Sequence, residues 1–332
     1  MLKSGVNIVQ ALSALSHQDE CPNFGVVIAH LCTSLNSGNS LSDSLREYPR
    51  TFPGVYPSVI QVGESTGDLS GALDRLGDWL ELEDRTSRRV KAAMSYPLLV
   101  LSMACCLTLA LFYTVIPQFV GIFEGMAVEL PLITRIVLGI THLVRNPGIW
   151  VLSLVGGWTL TSALRRTWAQ PAGRRALFSW ALRIPVLGRI LWLASLARFA
   201  ATARMGLDTG LDQIQTLQLA CQASGNPLIE YDSQFLVEAL TQGQQLSDHM
   251  RKHPRLYHSA ITYLLAAGEE IAEVGPCLER AAVYYESEVD LLVTNLGKIL
   301  EPAMLLLVAF LVGFVLLAIF LPMYSYIGAM RM

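Results

Sequence analysis

Charge is scarce in this chain. Over 332 residues, Asp, Glu, Lys and Arg make up 15%, against roughly a quarter in ordinary soluble domains. Hydrophobic residues reach 52% and the mean hydropathy is +0.43. A chain of this length is expected to hold two cores, or one core and membrane spans, and this composition favours the spans. The net charge of −3 supplies no basic field for a phosphate backbone, so no nucleic-acid partner is expected. Six cysteines (Cys21, Cys32, Cys105, Cys106, Cys221 and Cys277) show no CxxC and no Cys/His ligand spacing. They read as apolar filler in a reducing compartment, which excludes a disulfide framework and a zinc finger. There is no HExxH, no GxxxxGK[ST] and no convincing run of β alternation. A signal peptide is missing too: MLKSGVNIVQAL reads as part of an amphipathic helix, so an internal span is expected to direct the chain to its membrane.

What is present in quantity is long apolar runs. A helix needs about 20 such residues to cross the ~30 Å hydrocarbon core. Three stretches qualify: Tyr96 to Pro117, Asn146 to Leu164 with tryptophans at 150 and 158 placed like interfacial anchors, and Pro302 to Pro322. Arg85, Arg88, Arg89 and Lys91 stand before the first, and Arg165, Arg166, Arg174, Arg175, Arg183 and Arg189 follow the second. Between those two spans only Arg135 and Arg145 occur, and after the third only Arg331. The positive-inside rule then predicts a cytoplasmic amino terminus and a cytoplasmic segment 165–297. The outer segment, EGMAVELPLITRIVLGITHLV, fits an interfacial helix and a re-entrant cap equally.

The chain also matches itself at an offset of 205: Gly5 with Gly210, Gly38 with Gly243, Leu41-Ser42-Asp43 with Leu246-Ser247-Asp248, Gly63-Glu64 with Gly268-Glu269, Pro97 with Pro302 and Pro117 with Pro322. Helical periodicity recurs in both copies. Phe24, Ile28, Leu31 and Leu35 answer to Ile229, Leu236 and Leu240, and Leu69, Leu73, Leu76 and Leu80 to Val274, Leu278, Ala281 and Tyr285. The predicted fold is all-α: an integral membrane protein with two repeated cytoplasmic helix-bundle modules and three transmembrane helices. The expected boundaries are module 1 at 1–94, spans at 95–119, 146–164 and 298–323, a periplasmic segment at 120–145, module 2 at 165–297 and a periplasmic tail at 324–332. Both copies enter the membrane from one side, so the odd middle span has to bring the chain back.

One stretch imitates a reaction site. QVGESTGDL, residues 61–69, gathers two glycines, two carboxylates and two hydroxyls. No strand precedes it and no lysine follows it, and its carboxylates would repel an anion, so a phosphate loop is excluded. The second copy keeps only Gly268-Glu269. Gly63, Glu64, Gly67, Gly268 and Glu269 are therefore candidates for a structural turn or a partner contact. Gly63 and Gly268 would supply close backbone approach or a positive φ, Asp68 would cap the helix that follows, and Glu64 and Glu269 would lie near that helix start, where the macrodipole favours a carboxylate. No catalytic, cofactor or metal residue is expected. His249, His253 and His258 cluster, but read as an exposed helix edge rather than ligands. Glu301 reads as interfacial beside Lys298.

These features together resemble the inner-membrane platform proteins of type II secretion and type IV pilus assembly, known as secretion protein F and pilus assembly protein C. The resemblance rests on Leu2-x-x-Gly5-Val6 with Leu207-x-x-Gly210-Leu211, Gly38-x-x-Leu41-Ser42 with Gly243-x-x-Leu246-Ser247, Pro49-x-x-Phe52-Pro53 and Gly63-Glu64-x-x-Gly67-x-Leu69. Tyr96-Pro97, Pro117-x-Phe119, Leu130-Pro131-x-x-Thr134, Ile184-Pro185-x-x-Gly188 and Glu301-Pro302 extend it over nearly the whole chain. It implies a multi-pass protein of the bacterial inner membrane that forms homo-oligomers and has no enzymatic activity. It further implies a role coupling a cytoplasmic assembly ATPase, alongside other inner-membrane components, to polymerisation of pilin or pseudopilin subunits. It also implies a longer amino-terminal segment in relatives, so module 1 is expected to be shortened. The alternative is a small-solute or ion-conducting membrane protein. That reading needs a polar stripe through the spans, and Ala303 to Leu321 has no charged, hydroxyl or amide side chain.

Overall fold

The computed structural model describes residues 2–16, 22–116 and 146–329, together with residues 118, 135, 136, 139, 141 and 143. Most of the expected segment 120–145, including Leu130, Pro131 and Thr134, lies outside the described residues, as do His17, Cys21, Pro117, Phe119, His142, Arg145 and Arg331. Among the described residues the secondary structure is helical and contains no strand, as the periodicity predicts.

After a short 3₁₀ turn come α1 (Ile8–Ser16), α2 (Pro22–Asn36), α3 (Leu41–Arg46), α4 (Val55–Thr66) and α5 (Leu69–Ala110), the last passing into a π-helical turn at Leu111–Val115. Then follow α6 (Pro147–Ala169), α7 (Pro171–Ala181), α8 (Leu187–Thr209), α9 (Gln213–Ala223), α10 (Pro227–Thr241), α11 (Leu246–Lys252), α12 (Ser259–Glu270) and α13 (Val274–Ala329). Local chemistry sets many of these starts. Asn146 and Asn226 accept the amides of Gly148 and Leu228 at 2.9 and 3.0 Å, each just before a proline whose missing N–H costs nothing at a first turn.

Two compact units result, residues 1–87 with 175–290 and residues 88–174 with 291–332. In the first unit α1 and α2, α3 and α4, α8 and α9, α9 and α10, and α11 and α12 are packed neighbours, and α8 also lies against α4. Ile28, Leu31, Leu41, Val59, Ile60 and Leu76 share one apolar core with Met205, Leu211 and Leu219, so the segments before and after the middle span bury side chains together. At about 1.5–3 kcal/mol for each large aliphatic side chain removed from water, this shared core is a principal stabilising term. The period-3.6 stripes meet it in their middles and leave it at their ends: Phe24 and Leu80 are exposed while Leu31 and Leu76 are buried.

Three described helices are long and apolar enough to cross a bilayer: Pro147–Trp168, Leu187–Thr209 and Val274–Phe314. The first and last include most of the expected second and third spans. The expected first span corresponds to a shorter apolar helix, Leu98–Thr114. Helix α8 is different in kind. Of its apolar window 61% is buried, and Arg198 uses Nε and Nη2 to hold the Ser224 carbonyl at 3.0 and 2.8 Å. Its alanines and Gly206 let it sit close to neighbouring helices, so protein rather than lipid covers it. In the second unit Leu98, Leu101, Leu152, Val155, Leu306 and Phe310 are exposed, the surface expected of lipid-facing helices.

Candidate functional site

Glu64 sits in the last turn of α4 and looks back in sequence. Its Oε1 accepts the Leu41 amide at 2.6 Å, and its Oε2 accepts the Ser42 hydroxyl at 2.6 Å and the Ser42 amide at 3.4 Å. These are first-turn groups of α3, left without intrahelical partners by helix geometry. Ser40 accepts the next amide, Asp43, at 3.0 Å and completes the cap. The sequence reading puts the carboxylate beside the following helix, α5. The macrodipole argument holds, but the helix it serves is the preceding one. The start of α5 is capped by Asp68, whose Oδ1 accepts the Gly71 amide at 2.9 Å.

Glu269 repeats this geometry on α12. It accepts the Leu246 amide at 2.7 Å, the Ser247 amide at 3.3 Å and the Ser247 hydroxyl at 2.5 Å. The start of α11 lacks one element that α3 has: Gln245 stands at its N-cap and makes no side-chain cap bond. Glu269 is then the side chain that satisfies this helix start. Ser42 and Ser247 are 2% and 0% exposed, so their hydroxyls have little water to fall back on.

The glycine before each glutamate has its own physical reason. A Cβ on Gly63 would stand 2.6 Å from Cβ of Ala72 and 3.2 Å from Cα of Leu69, and one on Gly268 would stand 3.0 Å from Cα of Val274. Gly-Glu thus joins three helices: the glycine brings α4 onto α5, or α12 onto α13, while the glutamate ties back to α3 or α11. Gly67 ends α4 at φ +76°, in the left-handed region. Ala272, 205 positions on, adopts φ +56° without being glycine.

A second polar feature joins the two sequence segments of the first unit. Trp79 donates its indole N–H to Thr202 Oγ1 at 3.0 Å, and Arg204 bridges Asp208 at 2.9 Å and Glu279 at 2.5 Å. The Glu279 bond, before the charge of Asp208, raises the Arg204 pKa above its ordinary value. Beside them opens a cavity of about 380 Å³ lined also by Arg75, Asp78 and Glu286. The sequence reading missed this seam, because nothing in either segment's periodicity says which helix meets which. It had a signal for the partners of the glutamates: Leu-Ser and Gly-Glu recur in both copies at the same separation.

Membrane-length apolar helices, together with a helical unit whose turns are tied by carboxylate caps, define a helical integral membrane protein. Two regions of the chain, residues 1–117 and 199–322, match the family described as Type II secretion system (T2SS), protein F. The chain belongs to that family. It is 30% identical over 330 residues to the type IV pilus assembly protein PilC of Thermus thermophilus, covering 99% of this chain and 80% of that one. It is also similar to the type IV pilus assembly protein TapC of Aeromonas hydrophila, 30% identical over 98% of this chain and 78% of the relative. The type II secretion system protein F of the same organism is 28% identical over 97% of this chain and 82% of its own length.

Proposed function

We propose that this chain is the inner-membrane platform of a type II secretion or type IV pilus assembly machine. In this role it couples a cytoplasmic assembly ATPase to the addition of pilin or pseudopilin subunits, as a homo-oligomer and without catalysing a reaction itself. The observation that carries the reading is the match along essentially the whole chain to relatives named for both systems. The solute-conducting alternative gains nothing from these comparisons. The apolar character of α13 between Ala303 and Leu321 also counts against it.

In this reading the amino terminus is cytoplasmic and the two sequence segments of the first unit are repeated modules. The repeat draws support from helix starts at Ile8, Pro22, Leu41 and Leu69 and again at Gln213, Pro227, Leu246 and Val274, each 205 residues on. The twin glutamate caps support it as well. Helix turns tied by side-chain caps suit coupling, because a turn that yields would dissipate an applied force.

Glu64 and Glu269 are engaged by helix amides, so partner contact is assigned to the exposed turns that follow them, Ser65 to Gly67 and Glu270 to Glu273. Charge reversal at the glutamates themselves would test folding before it tested contact. The direct test places a photo-crosslinking residue at Thr66 or Glu273 in cells that carry the whole machine. The expected result is an adduct with the assembly ATPase or an inner-membrane partner, together with loss of fibres or secretion on gene disruption. Normal fibres and normal secretion after disruption would overturn the proposal.

A further inference from the structure

Asp232 stands 17 residues before His249 in sequence, and the fold brings it to His249 and His253. Asp232, on α10, is only 6% exposed. Its Oδ2 accepts the Tyr257 hydroxyl at 2.8 Å and meets His249 Nε2 at 3.1 Å. His253 follows His249 by one helical turn, and their rings lie 4.9 Å apart. One ligand atom from each of the three residues falls within 4.8 Å of the others.

We propose that these three side chains bind a divalent first-row transition ion, with zinc the best fit. Ligands at about 2.0–2.2 Å from a tetrahedral zinc stand roughly 3.3 Å apart. Asp232 and His249 already have that separation, and His253, which is exposed, completes the set by swinging its ring inward. Two imidazoles and a carboxylate suit zinc and its neighbours, whereas calcium and magnesium take oxygen and copper(I) takes sulfur. With the ion on Nε2, the His249 imidazole carries its hydrogen on Nδ1. Tyr257 keeps donating to Asp232 and fixes the carboxylate from behind, as second ligand spheres do in zinc sites. Water fills the remaining position.

The other half of the sequence supplies a comparison. At positions 205 residues earlier stand Val27 on α2, Ser44 on α3, and Tyr48 and Phe52 in the loop that follows α3. That half has no imidazole or carboxylate at these four positions; its nearest counterpart is a looser, exposed His30–Glu47 pair at 3.8 Å. The buried carboxylate with two imidazoles belongs to the second half, and its chemistry is that of a ligand set.

The test uses the full chain in detergent, freed of any histidine tag and stripped with a chelator. Zinc is titrated against a chromogenic chelator of known affinity, and cobalt(II) is added separately to read coordination from its visible absorption. The expected result is one zinc per chain and an intense four-coordinate cobalt spectrum. Affinity should fall at least tenfold in His253→Ala and in Asp232→Asn, with the circular dichroism of the metal-free protein unchanged in the first. If the wild-type chain fails to compete with the chelator for zinc, or both variants bind zinc as tightly as the wild type, the site does not exist. Retained binding in Asp232→Asn with loss only in His253→Ala would reduce it to a surface histidine pair and overturn the proposal. Should Asp232→Asn fail to fold, Tyr257→Phe takes its place, with a loss of about tenfold expected.

Discussion

Removing the carboxylate of Glu269 should open α11 from its first turn. In Glu269→Ala the amides of Leu246 and Ser247 and the fully buried Ser247 hydroxyl lose their acceptor together. A hydrogen bond to a charged group contributes about 1.5–3 kcal/mol and a helix cap about 1 kcal/mol. Glu269 is half-buried and the bonds share one carboxylate, so the sum is discounted to about 3 kcal/mol. Glu64→Ala should cost less, about 2 kcal/mol on the same scale, because Ser40 still caps Asp43 and lies 3.1 Å from the Ser42 hydroxyl as a replacement partner. Hydrogen exchange of the full chain, read by mass spectrometry on peptides covering residues 243–252 and 38–47, reports these local openings directly. At 1.4 kcal/mol per tenfold, protection at 246–250 should fall about a hundredfold in Glu269→Ala, and protection at 41–45 about thirtyfold in Glu64→Ala. Glu269→Gln, which keeps one oxygen acceptor but no charge, should lie between Glu269→Ala and wild type. Protection at 246–250 within threefold of wild type in Glu269→Ala would refute the cap as the reason for the glutamate.

Three further outcomes follow from the same geometry. Gly63→Ala should destabilise by about 2 kcal/mol, an overpacking cost of up to ~3 reduced by ~1 of helix propensity, and a second change, Ala72→Gly, should recover most of it in denaturant melts. Failure of the second change to rescue would remove the contact with Ala72 as the cause. Ala272→Gly should stabilise by about 0.5–1 kcal/mol, since the left-handed backbone costs alanine about 1–2 kcal/mol and glycine returns part of that gain through chain entropy; a lower denaturation midpoint would contradict this. Cys221 should resist alkylation in the folded chain and react only on unfolding. Burial, ahead of the Asp232 charge, pushes its thiol pKa up and disfavours the attacking thiolate, and the side chain is out of reach of the reagent; modification at the rate of a free thiol, read by mass spectrometry, would disprove this.

The sequence by itself determined the helical class, the membrane-length runs and the pairing of Gly-Glu with Gly-Glu 205 residues on. Each of these is a short-range matter: period 3.6, hydropathy over about 20 residues, and direct identity of type. Helix α8 meets the same length and hydropathy test as a span and was not singled out from the sequence; only its packing tells a buried core helix from a lipid-facing one, since both can have the same composition. The glutamates were visible and their helix was not. A carboxylate near a turn has two helix starts within reach, and the choice of α3 over α5 depends on a contact 23 residues away in sequence. The meeting of Trp79 with Thr202 and of Asp232 with His249 was likewise decided only in three dimensions. Side-chain periodicity tells which face of a helix is covered, while the identity of what covers it depends on loop lengths and on close packing of the whole set of helices.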